Sequence, residues 1–164
     1  MWSLGGLEFT SEMIEDYIGY VYCITDLRNN KKYIGKKLFT STRRLAPLKG
    51  KSRKRIVKKE SDWQEYYGSS EEVKLLVEEL GPSNFKREIL HLCKGKGELS
   101  YMELFEQIKR NALLRDDYYN GICQAKIHRS HVKNINPDDL DFCSDQNASA
   151  PSQSRRQSSD SEGK

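Results

Sequence analysis

Between Arg28 and Glu60 stand fourteen lysines and arginines against a single acid, Glu60, a local charge of +13 in a chain whose total is only +4, so the remainder carries −9. Blocks such as Lys49-Gly50-Lys51-Ser52-Arg53-Lys54-Arg55 and Lys58-Lys59 cannot form a core, and their mutual repulsion costs free energy until a polyanion neutralises it. The chemistry this predicts is nucleic-acid binding through Lys37, Arg44, Lys49, Lys51, Arg53, Lys54, Arg55, Lys58 and Lys59. A solvated basic loop or a localisation tract is the plainer alternative. Metal binding through sulfur and imidazole is the other chemistry to weigh. His91-x-Cys93 and His128-x-x-His131 are close pairs, and Cys23, Cys123 and Cys143 complete the soft donors. There is no CxxC, whereas zinc clusters rest on two tight pairs, and Cys23 and Cys93 lie in apolar, strand-like runs. Buried thiols and surface imidazoles are therefore expected in place of zinc.

These residues need a scaffold, and the chain of 164 residues and 19.0 kDa has room for one core. Mean hydropathy of −0.81, 36% hydrophobic and 32% charged residues, and the lack of any apolar run near 20 residues exclude a helical membrane protein. Met1–Leu7 has neither the basic start nor the apolar stretch of a secretory signal, so a cytoplasmic location and no disulfide framework are expected. Tyr20–Thr25 and Lys32–Gly35 are dense in β-branched and aromatic residues and read as strands. Asn29-Asn30 between them tolerates positive φ and predicts a hairpin. Any even, symmetric loop then places Tyr22 and Tyr33 on one face.

Ser69-Ser70-Glu71-Glu72 is a helix start; Val73, Leu76, Val77 and Leu80 follow at helical spacing, and Gly81-Pro82 stops the run. Phe85–Cys93 reads as a third strand, and a second helix is predicted from about Glu98 to Leu114 with Met102, Phe105, Ile108 and Ala112 facing inward. Arg115–Gly121 is a polar turn. The order β-β-α-β-α predicts an α/β fold with a small three-stranded antiparallel sheet flanked by helices. Asp141–Lys164 holds seven serines, four acids and three bases with almost nothing apolar, which reads as a disordered tail. The expected organisation is an extension over 1–16, a domain over 17–136 and a tail over 137–164.

Tyr20-Val21-Tyr22, then ten residues, then Tyr33-Ile34-Gly35 resembles the paired triplets of the GIY-YIG nuclease superfamily, with Gly19 standing one position ahead of the first triplet's glycine place. Lys36, Arg43 ten residues past Tyr33, a helix carrying Glu103, and Tyr119-Asn120-Gly121 follow in the family's order, so the resemblance spans roughly 17–122. Glu60-Ser61-Asp62-Trp63, Tyr67-Gly68-Ser69-Ser70, Tyr101-Met102-Glu103 and Leu114–Asp117 are most similar to the phage-encoded, free-standing homing endonucleases. Tyr66-Tyr67-Gly68 has no triplet before it and reads as a decoy. Pro47 stands where many relatives have histidine or tyrosine, fourteen positions past Tyr33.

The resemblance implies metal-dependent hydrolysis of phosphodiester bonds in double-stranded DNA. A water must lose a proton, phosphorus must bear added negative charge, and the leaving oxygen must be relieved of charge. Tyr22 or Tyr33 would be the base; either needs its phenol, which titrates near 10, lowered by roughly three units, with Lys36 and Arg43 as the cations. Arg43 would also clamp the phosphate. Glu103 would hold one Mg²⁺ or Mn²⁺, with Glu106 as the substitute because it sits nearer the apolar stripe, and Asn120 would brace the site. The alternative function is a non-catalytic nucleic-acid-binding module on the same fold.

Overall fold

The computed structural model describes residues 1–47, 49, 50 and 52–140. Lys51, Cys143 and the predicted tail over 141–164 lie outside them. Strands β1 (Trp2–Leu4), β2 (Leu7–Glu8), β3 (Gly19–Asp26) and β4 (Lys32–Leu38) join β7 (Phe85–Cys93) in a five-stranded mixed sheet of order β2-β1-β7-β3-β4. A separate two-stranded antiparallel sheet pairs β5 (Thr40–Leu45) with β6 (Arg55–Glu60). Helices α1 (Glu71–Leu80) and α2 (Lys96–Lys109) complete the mixed α/β fold. The predicted three-stranded antiparallel sheet is thus corrected to five strands.

The two added strands come from the N-terminus, where β1 pairs in parallel with β7, Trp2 opposite Arg87. Trp2 is 2% exposed and its indole N–H donates to the Trp63 carbonyl at 2.7 Å. It packs edge-on against Tyr20, centroids 5.0 Å apart, and lies 5.3 Å from Tyr22. Three residues carry too short an alternation to announce a strand, and a parallel partner 85 positions away leaves no local signal. Trp2→Ala should cost about 3–5 kcal/mol by emptying this aromatic cluster. In thermal denaturation, that corresponds to a drop on the order of 10 °C.

The β3–β4 hairpin follows its expected register: Tyr22 pairs with Gly35 and Tyr33 with Ile24, and Asn30 adopts φ 59° in the turn. Tyr22 and Tyr33 therefore share a face, with ring centroids 6.2 Å apart. Helix α1 starts on Ser70, whose hydroxyl accepts from the Val73 N–H, and ends at Gly81, φ 84°. Helix α2 ends five residues before the predicted Leu114. Its buried side holds Leu99, Met102, Phe105, Glu106 and Gln107, with Ala112 just beyond its end, whereas Ile108, predicted inward, is 55% exposed. The sheet separates an aromatic core on the α1 side, containing Trp2, Tyr20, Tyr22, Phe39 and Trp63, from an α2-side core of Val21, Cys23, Ile34, Cys93 and Met102. Cys23 and Cys93 are buried free thiols, and burial pushes Cys93 up to about 12. Among the described residues no helix is long and apolar enough to cross a membrane.

Candidate active site

Strand β4 is an edge of the large sheet, and an unpaired edge exposes backbone N–H and C=O groups that need partners. The turn after α2 supplies them. The Lys32 N–H donates to Asp117 O at 2.9 Å, and the Tyr119 N–H to Lys32 O at 2.7 Å. Asn120, 9% exposed, then acts as a side-chain strand: its Oδ1 accepts from the Ile34 N–H at 2.9 Å while its Nδ2 donates to the Ile34 carbonyl at 2.7 Å. Gln107 Nε2 adds a 3.3 Å bond to the same carbonyl. The backbone between Tyr33 and Gly35 is therefore held from outside the sheet.

Alternation along β4 sends Tyr33 to the α1 side and Lys36 to the α2 side, so the chemistry gathers around the strand's edge from both faces. On the first side the Tyr33 and Ser69 hydroxyls are hydrogen-bonded at 2.8 Å. On the second, the Lys36 ammonium pairs with Glu103 Oε2 at 2.8 Å and donates to Ser100 Oγ at 3.0 Å. Tyr33, Ser69, Ser70, Glu103, Tyr119 and Asn120 line one cleft of about 470 Å³.

Tyr22 is placed differently. It is fully buried against Gly35, where a Cβ would stand 2.4 Å from the Tyr22 hydroxyl, so the second triplet's glycine makes room for the first triplet's tyrosine. Burial, reinforced by the neighbouring Tyr66 and Tyr33 phenols, holds Tyr22 well above the ordinary tyrosine value. Burial also raises Tyr33, opposed by its Ser69 hydrogen bond. Both shifts run opposite to the depression expected of a phenolate base.

The two candidate carboxylates separate. Leu99 and Gln107, absent from the predicted inward stripe, are buried; Glu103 lies between them on the helix, facing the cleft with its side chain 16% exposed. Glu106 points instead toward β7, buried, with Oε1 2.6 Å from His91 Nε2 and an ion pair to Arg110. Both of its oxygens are engaged inside the fold, whereas Glu103 pairs with Lys36 through Oε2 alone. An oxygen-seeking divalent ion fits Glu103 better, because one carboxylate at an open cleft with amide oxygens nearby leaves space for the waters such ions keep. No group of three His, Cys, Asp or Glu residues that could hold a metal occurs among the described residues; His91 serves Glu106, and His128 and His131 pair within one turn.

The cations divide too. Arg43 lies on β5, exposed, opposite Val57, outside the cleft lining. Arg44, Arg55, Lys58 and Lys59 are exposed on the same two-stranded sheet, and Lys49, Arg53 and Lys54 are exposed in the loop joining its strands. Lys37 is committed within the fold, 2.6 Å from Asp62 and 3.7 Å above the Tyr66 ring. Pro47 is in that exposed loop, so a count of fourteen positions from Tyr33 leads away from the cleft.

The ground beside the tyrosines is held by the string that reads as a decoy. Tyr66 packs edge-on to Tyr22 at 6.0 Å, and Gly68, φ 94°, lies flat on Tyr33, where a Cβ would come within 3.1 Å of the ring. Tyr66, Gly68, Ser69 and Ser100 are the contributors that sequence reasoning missed or set aside. The serines before α1 carry a signal as its cap, and Gly68 and Ser69 also stand in the Tyr67-Gly68-Ser69-Ser70 string of the family resemblance.

Comparison with curated proteins and with solved structures yields no match for the chain. The family described as "Putative endonuclease segE, GIY-YIG domain" matches residues 2–123, which takes in β1, the cleft and the Asn120 brace. With that match over most of its length, the chain belongs to the GIY-YIG nuclease family, among the phage-type segE endonucleases.

Proposed function

We propose that this protein is a metal-dependent endonuclease that hydrolyses phosphodiester bonds of double-stranded DNA, as a free-standing homing-type enzyme. The observation that carries the reading is the cleft, where a phenol hydrogen-bonded to a serine and a carboxylate paired with the Lys36 ammonium behind it meet across a braced strand edge. Tyr33 is the tyrosine that reaches substrate. Because its phenol is raised, it works as a relay: its oxygen takes a proton from the attacking water while its own proton passes to Ser69, which is exposed and passes it to solvent. Tyr22 is a positioning residue whose ring packs at a tilt against it. Lys36 supplies positive charge to the phosphoryl oxygens, and Arg43 holds the DNA backbone from beside the cleft. Glu103 would hold Mg²⁺ or Mn²⁺, which when bound polarises the phosphate and stabilises the leaving oxygen. Water adds to phosphorus, the P–O ester bond breaks, and the leaving oxygen is protonated by solvent.

The test is incubation of supercoiled plasmid with the protein, with and without Mg²⁺. Nicking that requires the ion is the expected result; DNA binding without cleavage under any divalent ion would replace this reading with the non-catalytic module. Tyr33→Phe, which keeps the ring packed on Gly68 but removes the relay oxygen, should slow cleavage about 10²- to 10⁴-fold with the melting temperature nearly unchanged. Full activity in Tyr33→Phe would assign the proton transfer to another group.

A further inference from the structure

The β5–β6 ribbon projects from the fold with every described side chain exposed. Its six pairs, from Thr40 opposite Glu60 to Leu45 opposite Arg55, span about 20 Å. A two-stranded ribbon standing alone is marginal in water, so this one depends on its root. There the Ser61 N–H donates to Phe39 O at 2.8 Å, Ser61 Oγ to Leu38 O at 2.6 Å, and the buried Trp63 indole to Glu60 Oε1 at 2.8 Å. Glu60 is the ribbon's only acid and stands at that root. Beyond it the described residues carry Arg43, Arg44, Lys49, Arg53, Lys54, Arg55, Lys58 and Lys59 without a carboxylate among them.

Alternation divides the ribbon into two faces. Ser41, Arg43, Leu45, Arg55, Val57 and Lys59 share one; Thr40, Thr42, Arg44, Ile56, Lys58 and Glu60 share the other, with Thr40 and Glu60 at the root. The second is the more open, since Ile56 is 65% exposed against 41% for Val57 and 39% for Leu45. Phosphate contact alone gives no reason for so exposed a β-branched apolar side chain beside Arg44 and Lys58. A base-reading face does: arginine matches the two acceptors of guanine, threonine accepts or donates, and an aliphatic group meets the thymine methyl. The B-DNA major groove, about 12 Å wide, admits a two-stranded ribbon, whereas the deep major groove of A-form RNA does not.

We propose that the β5–β6 ribbon enters the major groove of double-stranded DNA and reads sequence through Thr42, Arg44, Ile56 and Lys58, with Arg43, Arg55 and Lys59 turned to the backbone. This rests on duplex DNA being the substrate, and it adds that one segment specifies the site while the cleft performs the chemistry.

The experiment selects binding sites from a random-sequence duplex library with the full chain in EDTA, so that no result depends on cleavage. The parent protein should enrich a short consensus containing guanine. Arg44→Ala should lose the preference at one guanine while its affinity for random duplex falls only a few-fold, and Lys59→Ala should weaken all sequences alike. Replacing that guanine with 7-deazaguanine, which removes only the major-groove N7 acceptor, should weaken the parent about 10-fold and leave Arg44→Ala unchanged. The proposal is overturned if the parent enriches no consensus, if Arg44→Ala loses the same factor on every sequence, or if double-stranded RNA competes equally. Failure here with plasmid nicking intact leaves the endonuclease reading standing; a consensus that shifts with Arg44 in a protein that never cuts leaves the ribbon standing and removes the enzyme.

Discussion

Glu103→Gln should bind duplex DNA as tightly as the parent and cut it at least about 10³-fold more slowly. The amide keeps the shape of the side chain but removes the negative charge from the only carboxylate that lines the cleft among the described residues. Binding should survive because the cations that attract DNA are on the ribbon, and loss of one repulsive charge beside the phosphates favours it slightly. Glu106→Gln is the matched control one turn along α2. It uncouples His91 and Arg110 from a buried carboxylate, so it should lower the melting temperature and leave cleavage near the parent rate at temperatures where the fold persists. The reverse pattern, an active Glu103→Gln and an inactive, fully folded Glu106→Gln, would move the ion to Glu106. Full activity in both would place it elsewhere and remove the mechanism.

Salt should act almost as strongly on binding. If six ribbon cations reach phosphates, affinity should fall roughly 10³-fold between 50 and 200 mM monovalent salt, because each contact releases condensed counterions. Fluorescence anisotropy with a labelled duplex reads this directly. Replacing Lys54 and Lys59 with serine should lower the slope of log affinity against log salt by about two. A flat response in the parent would show that the ribbon does not lie on DNA. Lys37→Ser should leave the slope unchanged, since that ammonium is already held by Asp62 and Tyr66.

The reach of the sequence differs sharply between elements. Strands β3, β4 and β7 and helix α1 were legible because their signals are local: β-branched runs, an Asn-Asn turn, a serine cap, a glycine stop. The ribbon was not. Thr40, Ser41, Thr42, Ile56 and Val57 have strand character, but the cations between them remove the alternation of apolar and polar that marks a half-buried strand, and neither face of this one is buried. The site shows the same division. Tyr22, Tyr33, Lys36, Glu103 and Asn120 are candidates that spacing within a family pattern singles out, whereas Ser69 and Tyr66 reach the tyrosines only after the chain has travelled out along β5 and back along β6. Counting positions across that excursion is what led to Pro47. The choice between Glu103 and Glu106 also turned on tertiary contacts, because a wheel drawn without Leu99 and Gln107 rotates the buried face away from Glu103.

The pairing of Trp2 with Arg87 has a consequence for synthesis on the ribosome. Strand β1 must wait, with only β2 beside it and its indole uncovered, until β7 is made, and the β4 edge stays open for longer still, until Asn120 arrives. A nascent chain stalled between the end of β6 and that turn has its basic ribbon and both triplets but no finished cleft. On the proposed function such a chain would hold nucleic acid before it could cut it, so the order of translation itself would withhold the nuclease until the domain is complete.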